Sequence, residues 1–220
     1  NYFTPYLIKS LSNPPIVYRE GSSILASRNV HSMNFGNEIG HQIDLIRNIN
    51  GNLNILANLS LSHRHQMGDM EPIGLLDILL MKDEDEMYEY YPFRQVYLEM
   101  NGWAFSERLY YKVGMDRFIE FTVLGDGKKT YVTTIPTQWM WKLTNGSSVT
   151  IYLETQEKTV EQLSSTDFTL SDETKYTNNY FSASYSYMGK WIVTGFYDQE
   201  VKDSKTNTWL GGDLSYKISS

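Results

Sequence analysis

Apolar and polar residues alternate along most of this chain. The clearest case is residues 53–66, LNILANLSLSHRHQ. Leu53, Ile55, Ala57, Leu59 and Leu61 fall on one side. Asn54, Asn58, Ser60, Ser62 and Arg64 fall on the other, with Leu56 the one defect. A period of two predicts a β-strand with unlike faces. Residues 38–47 repeat the pattern, with Ile39, Ile43 and Leu45 opposite Glu38, Gln42 and Asp44, and the polar stretch NINGN joins the two into a hairpin. A second hairpin is expected from residues 93–100 and 104–116 around the turn NGW, residues 101–103. Its first strand opposes Val96, Leu98 and Met100 to Gln95, Tyr97 and Glu99. Its second opposes Phe105, Leu109, Tyr111, Val113 and Met115 to Ser106, Arg108, Lys112 and Asp116. A third hairpin turns at Asn145-Gly146, with Val149, Ile151 and Leu153 opposite Thr150, Tyr152, Glu154 and Gln156. A fourth turns at Met188-Gly189. Pro136 removes an amide donor from the third hairpin, so a bulge is expected there. With a strand near residues 23–32 and a lone last strand, roughly ten strands are expected.

Alternation alone does not say which face looks inward. A soluble barrel or sandwich turns the leucines to a core, whereas a membrane barrel turns them to lipid. Three features favour the membrane. The expected connections alternate in length: 48–52, 101–103, 145–146 and 188–189 are short, whereas 67–92, 117–128 and 158–177 are long and 199–207 is intermediate. Short turns at one end and longer loops at the other are an outer-membrane habit. Several strands, such as 53–66 and 131–143, exceed the usual length of about 5–6 residues. Aromatic residues crowd strand ends, among them Trp103, Phe105, Trp139, Trp141 and Trp191, as interfacial girdles do.

Composition narrows the classes further. The chain has 220 residues, enough for one large all-β domain without a division into two. It has no Cys, hence no disulfide framework, thiolate metal site or Cys nucleophile. The net charge of -7 argues against a broad basic surface for nucleic acid. The longest apolar piece, IGLLDILLM at 73–81, is shorter than a transmembrane helix and carries Asp77, so membrane spanning is open only to strands. A short helix is expected within residues 73–91. Asn1 is no initiator, NYFTPYLIKS is no secretory signal, and the last candidate strand has nothing behind it to pair with. The chain therefore reads as one segment, residues 1–220, of a longer protein.

Chemistry candidates are few. SHRHQMGD, residues 62–69, offers His63, His65 and Asp69 as a weak metal set, against the plainer reading of a polar rim before a long loop. KDEDEMYEYY, residues 82–91, lacks the spacing of a calcium loop and reads as a contact surface. There is no G-x-S-x-G nucleophile elbow, and GDGKK at 125–129 lacks the spacing of a phosphate-binding loop. No cofactor is implied. No catalytic residue is assigned, and an enzyme is not expected.

Residues 13–45, NPPIVYREGSSILASRNVHSMNFGNEIGHQIDL, go beyond generic barrel texture. Their Pro-Pro, Tyr-Arg-Glu, LASR and NEIGHQ elements resemble a family of uncharacterised outer-membrane β-barrels of Bacteroidota and relatives. FRQVYLEMNG and TIPTQWMWKLTNGSSVTIYLETQEK also resemble strands of that family. The resemblance implies an N-terminal signal and further strands, which this sequence lacks, and it implies no activity. The expected fold is all-β: part of an antiparallel up-and-down transmembrane β-barrel in a Gram-negative outer membrane. The expected role is a pore or a scaffold of a cell-surface complex; the alternative is a soluble β-barrel or sandwich binding glycans or lipids. Expected lumen residues are Glu99, Arg108, Lys112, Glu154 and Gln156. Expected lipid-facing residues are Leu53, Ile55, Leu59, Leu61, Val96, Leu98, Leu109, Val113, Val149, Ile151 and Leu153. The expected partners are the bilayer and other surface proteins reached through residues 67–92.

Overall fold

The computed structural model describes residues 23–26, 38–64, 91–122, 127–163 and 170–218. They form nine strands in one sheet: β1 (Glu38–Ile49), β2 (Leu53–Arg64), β3 (Phe93–Ala104), β4 (Leu109–Thr122), β5 (Lys128–Lys142), β6 (Ser148–Leu163), β7 (Leu170–Tyr187), β8 (Trp191–Lys202) and β9 (Lys205–Tyr216). Each pairs antiparallel with its neighbours in sequence, so the topology is purely up-and-down, with β1 and β9 as the two open edges. The fold is all-β, as the alternation predicts. Two expectations lie outside the described residues: the short helix within 73–91 for all but its last residue, and His65 with Asp69.

Three of the expected turns form where the residues allow left-handed backbone. Asn50-Gly51 and Met188-Gly189 each place two successive residues at positive φ, the geometry that matches the right-handed twist of hairpin strands. Gly146 supplies the same freedom between β5 and β6.

The second hairpin differs. Asn101, Gly102 and Trp103 do not turn but continue β3, and the chain reverses at residues 105–108. Gly102 serves a close approach instead. A Cβ there would lie 2.2 Å from the Asn52 carbonyl oxygen, which accepts a hydrogen bond from the Trp103 amide at 2.9 Å. The true turn holds Phe105, Ser106 and Glu107 at positive φ with no glycine among them. Phe105 is thereby lifted from the strand and exposed.

Strand boundaries also move. β4 and β5 reach Thr122 and Lys128, β6 and β7 reach Leu163 and Leu170, and β8 and β9 are separated only by residues 203–204. The connections expected at 117–128, 158–177 and 199–207 are therefore much shorter, and only the segment between β2 and β3 is long. Past residue 158, and at 199–202, both faces turn largely polar, whereas at 117–122 Phe118 on one face and Ile119 and Phe121 on the other make both apolar; either way alternation vanishes while backbone pairing continues. Residues 23–26 are a turn, not a strand, and the described residues hold nine strands; the rest of the strand expected near 23–32 lies outside them.

Pro136 needs no bulge. Register is unbroken from β5 to β6, with Pro136 opposite Glu154. On the other side the β4–β5 ladder is interrupted between Val113–Thr137 and Asp116–Thr134 and resumes in the same register. Gly114 faces that gap, and its missing side chain leaves room for the proline ring, which a Cβ would meet at 3.2 Å.

Candidate functional site

Over much of the sheet the two faces have the inverse of a soluble protein's polarity; the exceptions are Phe93, Phe118 and Val132, clustered and buried on the polar face, and Arg94 and Lys129, buried on the apolar one. On the polar face Asn58, Ser60, Gln95, Lys112, Asp116, Thr134, Glu154 and Gln156 are buried. On the apolar face Ile43, Leu45, Ile55, Leu98, Met100, Met115, Ile135, Trp139, Trp141, Leu153 and Leu214 are exposed. Buried polar groups are costly unless bonded to one another, and register supplies those partners.

Two chains of amides and carboxylates cross the strands. In the first, Asn48 Nδ2 donates to Asn54 Oδ1 at 2.7 Å, Asn54 Nδ2 to Asn101 Oδ1 at 3.1 Å, and Asn101 Nδ2 to Glu99 Oε1 at 2.7 Å. The Tyr97 hydroxyl donates to the other Glu99 oxygen. In the second, Asn178 Nδ2 donates to Gln156 Oε1 at 3.0 Å and Gln156 Nε2 to Thr134 Oγ1 at 2.8 Å. Between them Gln95 Nε2 donates to Asp116 Oδ1 at 2.8 Å. Lys112 places its ammonium 5.8 Å from the centre of the Tyr152 ring.

Glu154 holds something other than a strand neighbour. Its two oxygens accept the backbone amides of Ile24 at 2.9 Å and Leu25 at 2.6 Å, and also the Tyr152 hydroxyl. Ser23 Oγ closes the same turn by accepting the Ala26 amide at 3.0 Å. Leu25 is 0% exposed. A turn of the chain lying well over a hundred residues away is thus seated on the polar face.

Of the expected lumen residues, Glu99, Lys112, Glu154 and Gln156 share the polar face. Arg108 does not: it sits in the turn at 105–108, exposed, its carbonyl accepting the Lys142 amide at 2.8 Å. The parity that placed it holds only within a strand. All eleven expected lipid-facing residues lie on the apolar face. Ile55, Leu98, Ile151 and Leu153 are exposed, whereas Leu53, Leu59, Leu61, Val96, Val113 and Val149 are half-buried. Leu109 departs most, at 9% exposed next to the turn, paired with Trp141.

His63 stacks on His41, with 5.0 Å between ring centres. Among the described residues no group of three His, Cys, Asp or Glu side chains could hold a metal. The His41 contact and the Gln95–Asp116 and Gln156–Thr134 pairs depend on register, which the sequence does not print.

The fold thus defines a class: an antiparallel up-and-down β-sheet with a hydrogen-bonded polar face and an apolar face that is exposed over much of its extent. No protein-family model, curated protein or solved structure matches this chain.

Proposed function

We propose that this chain forms part of the wall of an outer-membrane β-barrel, and that the barrel is a pore or a structural component of a cell-surface complex. The inverted polarity carries the reading. A soluble barrel or sandwich would be expected to bury its leucines and expose its amides; lipid demands the reverse. The resemblance of residues 13–45 to outer-membrane barrels of Bacteroidota points the same way. The bonded polar face suits a lumen, and no cofactor or catalysis enters the proposal.

The apolar band runs across β2 to β9. Moving away from the turns at 50–51, 105–108, 145–146 and 188–189, and leaving tyrosines aside, the first polar residue on the apolar face is His63 in β2, Arg94 in β3, Arg117 in β4, Thr137 in β5, Thr155 in β6, Asn179 in β7, Gln199 in β8 and Thr208 in β9. Thr208, Gln199, Asn179 and Thr155 lie in one row, so the band ends level from β9 to β6; Thr137 interrupts it in β5, and it reaches further in β4, β3 and β2.

The test uses the protein's own tryptophans. Trp139, Trp141 and Trp191 lie on the apolar face, Trp103 and Trp209 on the polar one. In single-tryptophan variants folded into vesicles of brominated-chain lipid, the first three should be quenched and the last two spared. Equal quenching of both sets, or release of the protein from membranes by salt alone, would defeat the proposal.

A further inference from the structure

We infer that residues 23–26 are an internal plug, fastened inside the barrel by Glu154. The inference rests on the proposed barrel and deepens it, by assigning what occupies its lumen. Glu154 stands mid-strand on the polar face, 3% exposed, with both oxygens committed to the turn's amides. Two parallel N–H groups on one carboxylate form a charge-assisted fork, stronger and more directional than a neutral contact. The Tyr152 hydroxyl bonds the same carboxylate and, with Lys112 over its ring, orients it. The turn is preformed by Ser23 and presents Leu25 to a site without solvent access. A surface loop resting by chance on a sheet would not be expected to bury an aliphatic side chain completely. Backbone amides, moreover, are read regardless of side chain, so the Glu154 fastening does not depend on which side chains residues 24 and 25 carry.

A segment held this way blocks passage while bound and opens the lumen when it leaves. Release breaks the two Glu154 hydrogen bonds and brings Leu25 to water, a local opening that leaves the strand ladder intact.

Two measurements on the full chain test this. The first is maleimide labelling of Leu25→Cys, which would be the chain's only thiol. Labelling should be slow with Glu154 present and faster by roughly tenfold or more with Glu154→Ala, about the factor carried by one charged hydrogen bond. The second is ion conductance in planar bilayers, where Glu154→Ala should increase the open current over the unsubstituted protein. Glu154→Gln, which keeps the shape and one acceptor, should fall between in both, and it stands in if Glu154→Ala does not fold. Equal labelling rates would overturn the fastening. Faster labelling with unchanged current would overturn the plug. Labelling needs no bilayer, so it still reports on Glu154 if the chain never inserts, the outcome that would defeat the barrel instead.

Discussion

A charge placed in the middle of the apolar band gives opposite answers in water and in lipid. Met100 lies on β3 midway along the run from Val96 to Ala104, paired with Ile55 and Val113, and is 43% exposed. If that face met water, Met100→Arg would be an ordinary surface substitution, worth no more than about 0.5 kcal/mol either way. If it meets lipid, an arginine near the midplane costs about 2–4 kcal/mol. That is a loss of about 30- to 700-fold in the folding equilibrium. Gln199 on β8 is the depth control. It is the first polar residue beyond the band on its strand, so Gln199→Arg should cost only about 0–1 kcal/mol.

The assay is urea unfolding of the protein folded into vesicles, read by the unheated gel band and by tryptophan emission. The expected order is Gln199→Arg close to the unsubstituted protein and Met100→Arg far below it. A Met100→Arg protein within about 0.5 kcal/mol of the original would refute the lipid assignment. So would a Gln199→Arg protein as damaged as Met100→Arg, because the penalty would then not follow depth.

Other outcomes follow from individual residues. Lys112 sits on the polar face and Arg108 in an exposed turn, so Lys112→Gln should shift channel selectivity toward cations, whereas Arg108→Gln should leave the reversal potential unchanged. Gly102→Ala drives a methyl against the Asn52 carbonyl and should lower stability by about 1–3 kcal/mol, as overpacking does. Gly195→Ala on the apolar face has open space and should be nearly silent in the same urea titration. Ser106→Gly relieves one of three consecutive positive φ angles and should raise stability by up to about 1 kcal/mol.

The strands were legible where their faces differ. Residues 53–64 and 148–156 alternate cleanly and fold as read, down to the grouping of Glu154 with Gln156. Alternation failed where both faces are polar. Residues 158–162 and 172–176 read as loop, yet they pair without a shift, the register slipping only between Gln162 and Leu163, because backbone hydrogen bonding does not require an apolar face. Asn101-Gly102 misled for a different reason. Asn-Gly is the strongest local turn signal, and here the glycine answers a neighbouring carbonyl rather than a turn. The Glu154 contact with Ile24 and Leu25 has no local signature at all: a carboxylate on a polar strand face looks the same whether it meets water, a lysine or a distant backbone.

The two edges bear on what surrounds the sheet. β1 and β9 each pair on one side only, and β9 carries Trp209, Leu210, Leu214 and Tyr216 exposed along its length. In water such an edge invites strand addition. In hydrocarbon it is harder to tolerate, since each unpaired backbone group costs several kcal/mol, and β9 presents a row of them across the whole band. The proposed barrel therefore requires both edges to be paired by further strands or by another copy of the sheet. Amide hydrogen exchange reads this directly. In the membrane-inserted protein the outward amides of β9 should exchange as slowly as those of β6, which is paired on both sides. Fast exchange along alternate residues of β9, with β6 protected, would mean an open edge. An open edge in that position is incompatible with a lipid-embedded wall.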